Sequence, residues 1–102
     1  MHYRRATVDG GAFFFTVNLA HRQADTLVRH ADALRRVYAQ VRQRHPFTTI
    51  AIAVMPEHLH ALWQLPPGDA DYATRWALIK AGFSRQLPPG ERISASRASK
   101  GE

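Results

Sequence analysis

Residues 50–65, IAIAVMPEHLHALWQL, decide how this chain folds. An apolar run from Ile50 to Val54 leads into Met55-Pro56-Glu57, and a second apolar run leaves it at Leu59. Pro56 has no backbone N–H to give a sheet, so it belongs in a connection between strands. Two such runs joined by a short proline-bearing segment predict an antiparallel hairpin over residues 47–55 and 59–65. His58 and His60 flank Leu59. Side chains alternate across a strand, so the two imidazoles share a face, roughly 6.6 Å apart along the chain. Both can lean onto one metal ion, each nitrogen about 2.0–2.1 Å from it if the ion is zinc-like. Leu59, Ala61 and Trp63 lie on one side of the strand, and Leu62 and Gln64 lie on the other.

Upstream, residues 12–19, AFFFTVNL, are aromatic and β-branched and predict a strand. Asp25 or Thr26 can cap the next element. There Leu27, Ala31, Leu34, Val37 or Tyr38, and Val41 recur at helical steps, while Arg29, Arg35, Arg36 and Arg42 take the solvated side. His45-Pro46 stops that helix. Downstream, Pro66-Pro67-Gly68 ends the hairpin, and Asp69 or Asp71 opens a second helix over residues 70–87. Its apolar stripe is Tyr72, Trp76, Ile79 and Phe83, with Arg75, Lys80 and Arg85 away from it. Gly82 weakens that helix by about 1 kcal/mol relative to alanine. Pro88-Pro89-Gly90 breaks it, and residues 88–102 read as a flexible tail with Ile93 the only large apolar residue.

The order strand, helix, strand, strand, helix is an α+β, ferredoxin-like sequence without its last strand. It predicts one domain over residues 1–87, an antiparallel sheet with helices on one face. The missing strand would sit beside residues 12–19, so that edge is expected to be bare and to invite a homodimer by strand pairing.

Composition narrows the function. The chain has 102 residues, room for one small domain, and carries 14 basic against 8 acidic residues, a net charge of +6. All but two of the basic residues are arginine, the cation shaped for bidentate contact with phosphate. That balance favours a polyanionic partner such as nucleic acid. With no cysteine, disulfides, zinc–thiolate sites and cysteine catalysis are excluded, and a reducing cytoplasm is the expected setting. No apolar stretch reaches the roughly 18–20 residues of a membrane span.

The run Met55-Pro56-Glu57-His58-Leu59-His60-Ala61-Leu62-Trp63 resembles the histidine–hydrophobic–histidine motif of single-tyrosine HUH transposases. Further stretches resemble the REP-associated tyrosine transposases, the branch linked to repetitive extragenic palindromes. They are Tyr3-Arg4-Arg5, Phe14-Phe15-Thr16-Val17-Asn18-Leu19, Val41-Arg42-Gln43-Arg44-His45-Pro46-Phe47, and Gly68-Asp69-Ala70-Asp71-Tyr72 with Arg75-Trp76, Ile79-Lys80 and Phe83-Ser84. The resemblance covers most of residues 3–87. It implies nicking and joining of single-stranded DNA at hairpin ends, with His58 and His60 holding a divalent metal, Mg²⁺ or Mn²⁺. The ion polarises the scissile phosphate while a tyrosine hydroxyl attacks, leaving a 5′-phosphotyrosine.

In that family the nucleophilic tyrosine lies on a third helix, which also supplies another metal ligand, and this chain ends at Glu102 before such a helix. Tyr3 is in the arm, Tyr38 in the first helix and Tyr72 on the second helix's stripe, so no tyrosine is assigned as nucleophile and no cleavage by this chain is expected. The DNA-binding candidates are Tyr3, Arg4 and Arg5, then Arg75, Lys80 and Arg85. Two rival readings are a non-catalytic nucleic-acid-binding remnant and an unrelated ferredoxin-like metalloprotein acting on a small molecule.

Overall fold

The computed structural model describes residues 2–3, 10–18 and 25–88. The chain runs β1 (His2–Tyr3), β2 (Ala12–Asn18), α1 (Thr26–Arg29), α2 (Ala31–Arg44), β3 (Thr48–Val54), β4 (His58–Gln64) and α3 (Tyr72–Gln86). The expected hairpin is β3 and β4, paired antiparallel from Thr48 opposite Gln64 to Val54 opposite Leu59, with a bulge between Thr49 and Ala51. β4 pairs on its other side with β2, also antiparallel, giving the sheet order β1-β2-β4-β3.

The two inner strands alternate as their sequences require. Phe13, Phe15 and Val17 of β2 are buried with Leu59, Ala61 and Trp63 of β4, on the face that the helices cover. α2 adds Ala33, Leu34, Val37 and Val41 to this core, and α3 adds Trp76, Ile79 and Phe83. Trp63 stacks on Trp76 (4.4 Å, 10°) and on Phe47 (3.9 Å, 26°), placing both tryptophans in the core. Among the described residues no helix covers the opposite face of the sheet, which carries Phe14 and Thr16 of β2 with His58, His60 and Leu62 of β4.

α3 crosses α2 at Gly82. A Cβ added there would stand 2.7 Å from Cγ1 of Val37, so the helices approach more closely than any side chain at 82 permits. The turn before α3 has Pro67 and Gly68 at its centre: Asp69 N donates to Pro66 O at 3.0 Å, and Gly68 has φ +80°. Proline followed by a positive-φ glycine is the type II pattern. Asp71 then caps α3, its carboxylate accepting from Thr74 N at 3.1 Å.

Two expectations need correction. The edge of β2 is not bare: His2 pairs with Thr16 and Tyr3 with Phe15, so β1 stands where the last strand of a ferredoxin-like sheet would. The premise of a homodimer through that edge is therefore removed at those positions. The first helix is also not continuous, because His30 (φ −114°, ψ 36°) separates α1 from α2. The apolar steps continue across it, which is why periodicity alone joins the two. The tail expected at residues 88–102 lies, beyond Pro88, outside the described residues.

Candidate metal centre and nucleic-acid interface

The connection between β3 and β4 is only Met55-Pro56-Glu57, closed by Met55 N donating to His58 O at 2.8 Å. It is tied to the start of α1, where Leu27 N donates to Pro56 O at 3.2 Å. This places Glu57 against His58, its carboxylate oxygen 2.6 Å from His58 Nδ1. On the inner strands Thr16 is directly opposite His60, and its hydroxyl lies 3.1 Å from His60 Nδ1. The two imidazole centroids are 5.0 Å apart with planes at 76°. Both rings are partly buried on the open face of the sheet.

At His58 the carboxylate can only accept, which assigns the ring proton to Nδ1, whereas the Thr16 hydroxyl at His60 can donate or accept and fixes the ring's orientation rather than its tautomer. Nε2 of His58 then carries the lone pair. A histidine oriented by a carboxylate or hydroxyl at its other nitrogen is the usual arrangement behind a metal ligand. The donor set therefore fits half of a divalent-ion site. Among the described residues, no group of three or more His, Cys, Asp or Glu completes one. By ligand preference, paired imidazoles suit zinc, nickel or copper better than magnesium.

The described tyrosines are engaged elsewhere. Tyr38 hydroxyl accepts from Trp63 Nε1 at 2.9 Å and shares a hydrogen bond with Thr49 Oγ1 at 2.5 Å. Burial pushes its phenol above the ordinary value, with the bonds to Thr49 and Trp63 pulling the other way. Tyr72 packs against Phe13 and Phe15 (5.3 and 5.4 Å) on the helix-covered face, away from the histidines.

The cations divide sharply. Arg75, expected on the solvated side of its helix, is only 4% exposed. It donates through Nε to His45 O, and through both terminal nitrogens to the Asp69 carboxylate, Asp71 O and Pro46 O. All five N–H donors of a guanidinium are thereby used, leaving none for a phosphate. Lys80, likewise expected outward, is 8% exposed and lines a small apolar cavity with Val17, Leu59 and Phe83. Both are corrections: burial against the turn before α3 and under the sheet overrides their place on the helical wheel. Arg85 is exposed as expected. The side chain of Tyr3 and all of Arg4 and Arg5 lie outside the described residues.

Sequence reasoning did not single out Glu57 or Thr16 as partners of the histidines. Glu57 is signalled by adjacency, since a carboxylate next to a histidine in a tight connection has little choice of neighbour. Thr16 needs the β2–β4 register, which no local pattern supplies.

No family model matches the chain. It is 43% identical over 82 residues to the REP-associated tyrosine transposase of Escherichia coli K12, covering 80% of this chain and 50% of that protein. A Haemophilus influenzae protein provisionally given the same name is 42% identical over 87 residues, covering 85% of this chain and 49% of its own length. A solved structure of a REP-associated tyrosine transposase bound to a REP hairpin superposes with a TM-score of 0.77 at 41% identity, covering 83% of this chain and 52% of that one. The chain's relatives are REP-associated tyrosine transposases. Its fold is theirs over the part they share, and the chain spans about half the length of the curated relatives it matches. Among the described residues, no helix is long and apolar enough to cross a membrane.

Proposed function

We propose that this chain is a cytoplasmic DNA-binding protein of the REP-transposase kind, recognising single-stranded or hairpin DNA beside a divalent ion held by His58 and His60. The observation that carries the reading is the histidine pair, with both Nδ1 atoms engaged, on the open sheet face of a chain that superposes on a hairpin-bound transposase. Mg²⁺ or Mn²⁺ is the proposed ion, and when bound it supplies Lewis-acid polarisation of a phosphate. Glu57 and Thr16 orient the two imidazoles through their Nδ1 atoms, leaving Nε2 directed at the ion. Tyr3, Arg4, Arg5 and Arg85 are the proposed contacts to DNA.

Strand cleavage is not proposed for this chain. Neither Tyr38 nor Tyr72 faces the histidines, because both lie on the helix-covered side. The alternative is a binding remnant in which the histidines no longer matter.

Binding of a fluorescent hairpin with a single-stranded foot, against an unstructured strand of equal composition and with or without Mn²⁺, tests the reading. Hairpin preference that strengthens with Mn²⁺ and weakens in His58→Ala and His60→Ala is the expected result. Equal binding to both DNAs, steeply salt-dependent and indifferent to both substitutions, would leave only the binding remnant. Nicking of the hairpin by the 102-residue chain itself would overturn the reading that Tyr38 and Tyr72 play no part in cleavage.

A further inference from the structure

The sheet face that carries the histidines also carries an apolar depression. Phe14 lies on β2 directly opposite Leu62 and is 39% exposed, although it stands on an inner strand whose neighbours Phe13 and Phe15 are buried. Its ring is nearly parallel to that of His60, 16° off with centroids 5.7 Å apart. Ala51 and Ala53 of β3 pair with Leu62 and His60, and their short side chains leave a shallow space of about 220 Å³ against Phe14, His60 and Leu62. No charged residue lines it.

We propose that this depression is a nucleobase subsite, with Phe14 the platform on which an unpaired base of the bound DNA strand stacks. The inference rests on the DNA-binding reading above and adds where a base goes. His60 belongs both to the imidazole pair and to the wall of the depression, so a strand with a phosphate at the pair lays its next nucleoside on the adjoining sheet surface. The two flanks of the pair differ in character. Glu57 and Asn18 make the His58 flank acidic and polar, whereas the His60 flank is aromatic and aliphatic. Every base has a π face, and an aromatic side chain exposed on a sheet holds it without sequence preference. The contact with His60 holds the Phe14 ring in place, and the ring's exposed area is what a flat base would cover. The net charge of +6 draws the polyanion to the chain, while an uncharged hollow takes the part of it that is not phosphate.

The experiment uses the 102-residue chain and a hairpin DNA whose single-stranded foot carries 2-aminopurine at each position in turn. We expect fluorescence quenching confined to one foot position. Phe14→Leu keeps apolar bulk but removes the ring, and it should abolish the quench and weaken binding about 5- to 100-fold, the range for loss of one stacked base. Phe14→Tyr should retain both. Hairpin binding with a wild-type quench and affinity in Phe14→Leu overturns the subsite and leaves the DNA reading standing. A chain that binds no hairpin overturns both. If Phe14→Leu abolishes self-association in light scattering without changing DNA affinity, the face belongs to a second copy and the subsite is again overturned.

Discussion

Gly82 changes meaning between sequence and structure. On a helix taken alone, Gly82→Ala stabilises by about 1 kcal/mol through backbone propensity. Here the new methyl would meet Cγ1 of Val37 at 2.7 Å, and a β-branched valine inside a helix has almost no other rotamer to adopt. Overpacking then dominates, and Gly82→Ala should lower stability by about 1–3 kcal/mol in urea unfolding. An increase would mean that the helices can part at no cost. Arg75 gives a second test. Arg75→Ala leaves the carbonyls of His45, Pro46 and Asp71 without their donor and should cost about 1–3 kcal/mol, the scale for acceptors left unsatisfied, because Asp69 itself reaches solvent.

Arg75 also holds the Asp69 carboxyl below its ordinary value of 3.8, chiefly by hydrogen bonding. A depressed folded pKa contributes stability that is complete above the unfolded value and fades as pH falls through the folded one. Wild type should therefore lose stability below about pH 4 more steeply than Arg75→Ala, as followed by circular dichroism. At the site, Glu57→Gln keeps the shape but weakens the orienting bond to His58. It should reduce Co²⁺ or Ni²⁺ affinity about 10- to 100-fold by titration calorimetry, the usual scale for such partners. The histidines were legible from their spacing, and their partners were not, because Thr16 meets His60 only through pairing between distant strands.

At the scale of elements, the hairpin and both long helices were readable because alternation and three-to-four spacing leave one consistent assignment for each. Residue type offered Asp69 or Asp71 as the cap of α3; Asp71 takes that place, and Asp69 turns instead to Arg75 and the Asp71 N–H. The break at His30 and the strand β1 carried no such signal. A two-residue strand exists only through its partner, and a chain turn that preserves the apolar stripe leaves the pattern intact. β3 makes an element-level prediction. Its seven residues, TTIAIAV, form the outer strand of the sheet with Ile50, Ile52 and Val54 exposed and no charge along it. Such an edge invites pairing with another chain, and natural edges are blunted by lysine. Ile52→Lys should suppress concentration-dependent scattering while leaving unfolding within about 0.5 kcal/mol, the range for surface substitutions.

For the whole molecule, strand and helix order sufficed to predict an antiparallel sheet with helices on one face, because few topologies satisfy that order. The polar, basic residues 1–5 carry no strand pattern, so element order alone leaves the position beside β2 empty. β1 fills it with residues separated from β2 only by residues 4–11. Closing a loop costs entropy that grows with the logarithm of its length. A strand arriving after α3 would close a loop roughly ten times longer, at about 2 kcal/mol more. The near partner is thus first to arrive and, with only two pairings, easiest to dislodge. Sheet completion in this chain is a race between a close, weak partner and any distant, longer one, so a synthetic strand matched to β2 should displace β1 from Phe15 and Thr16 without first unfolding the core.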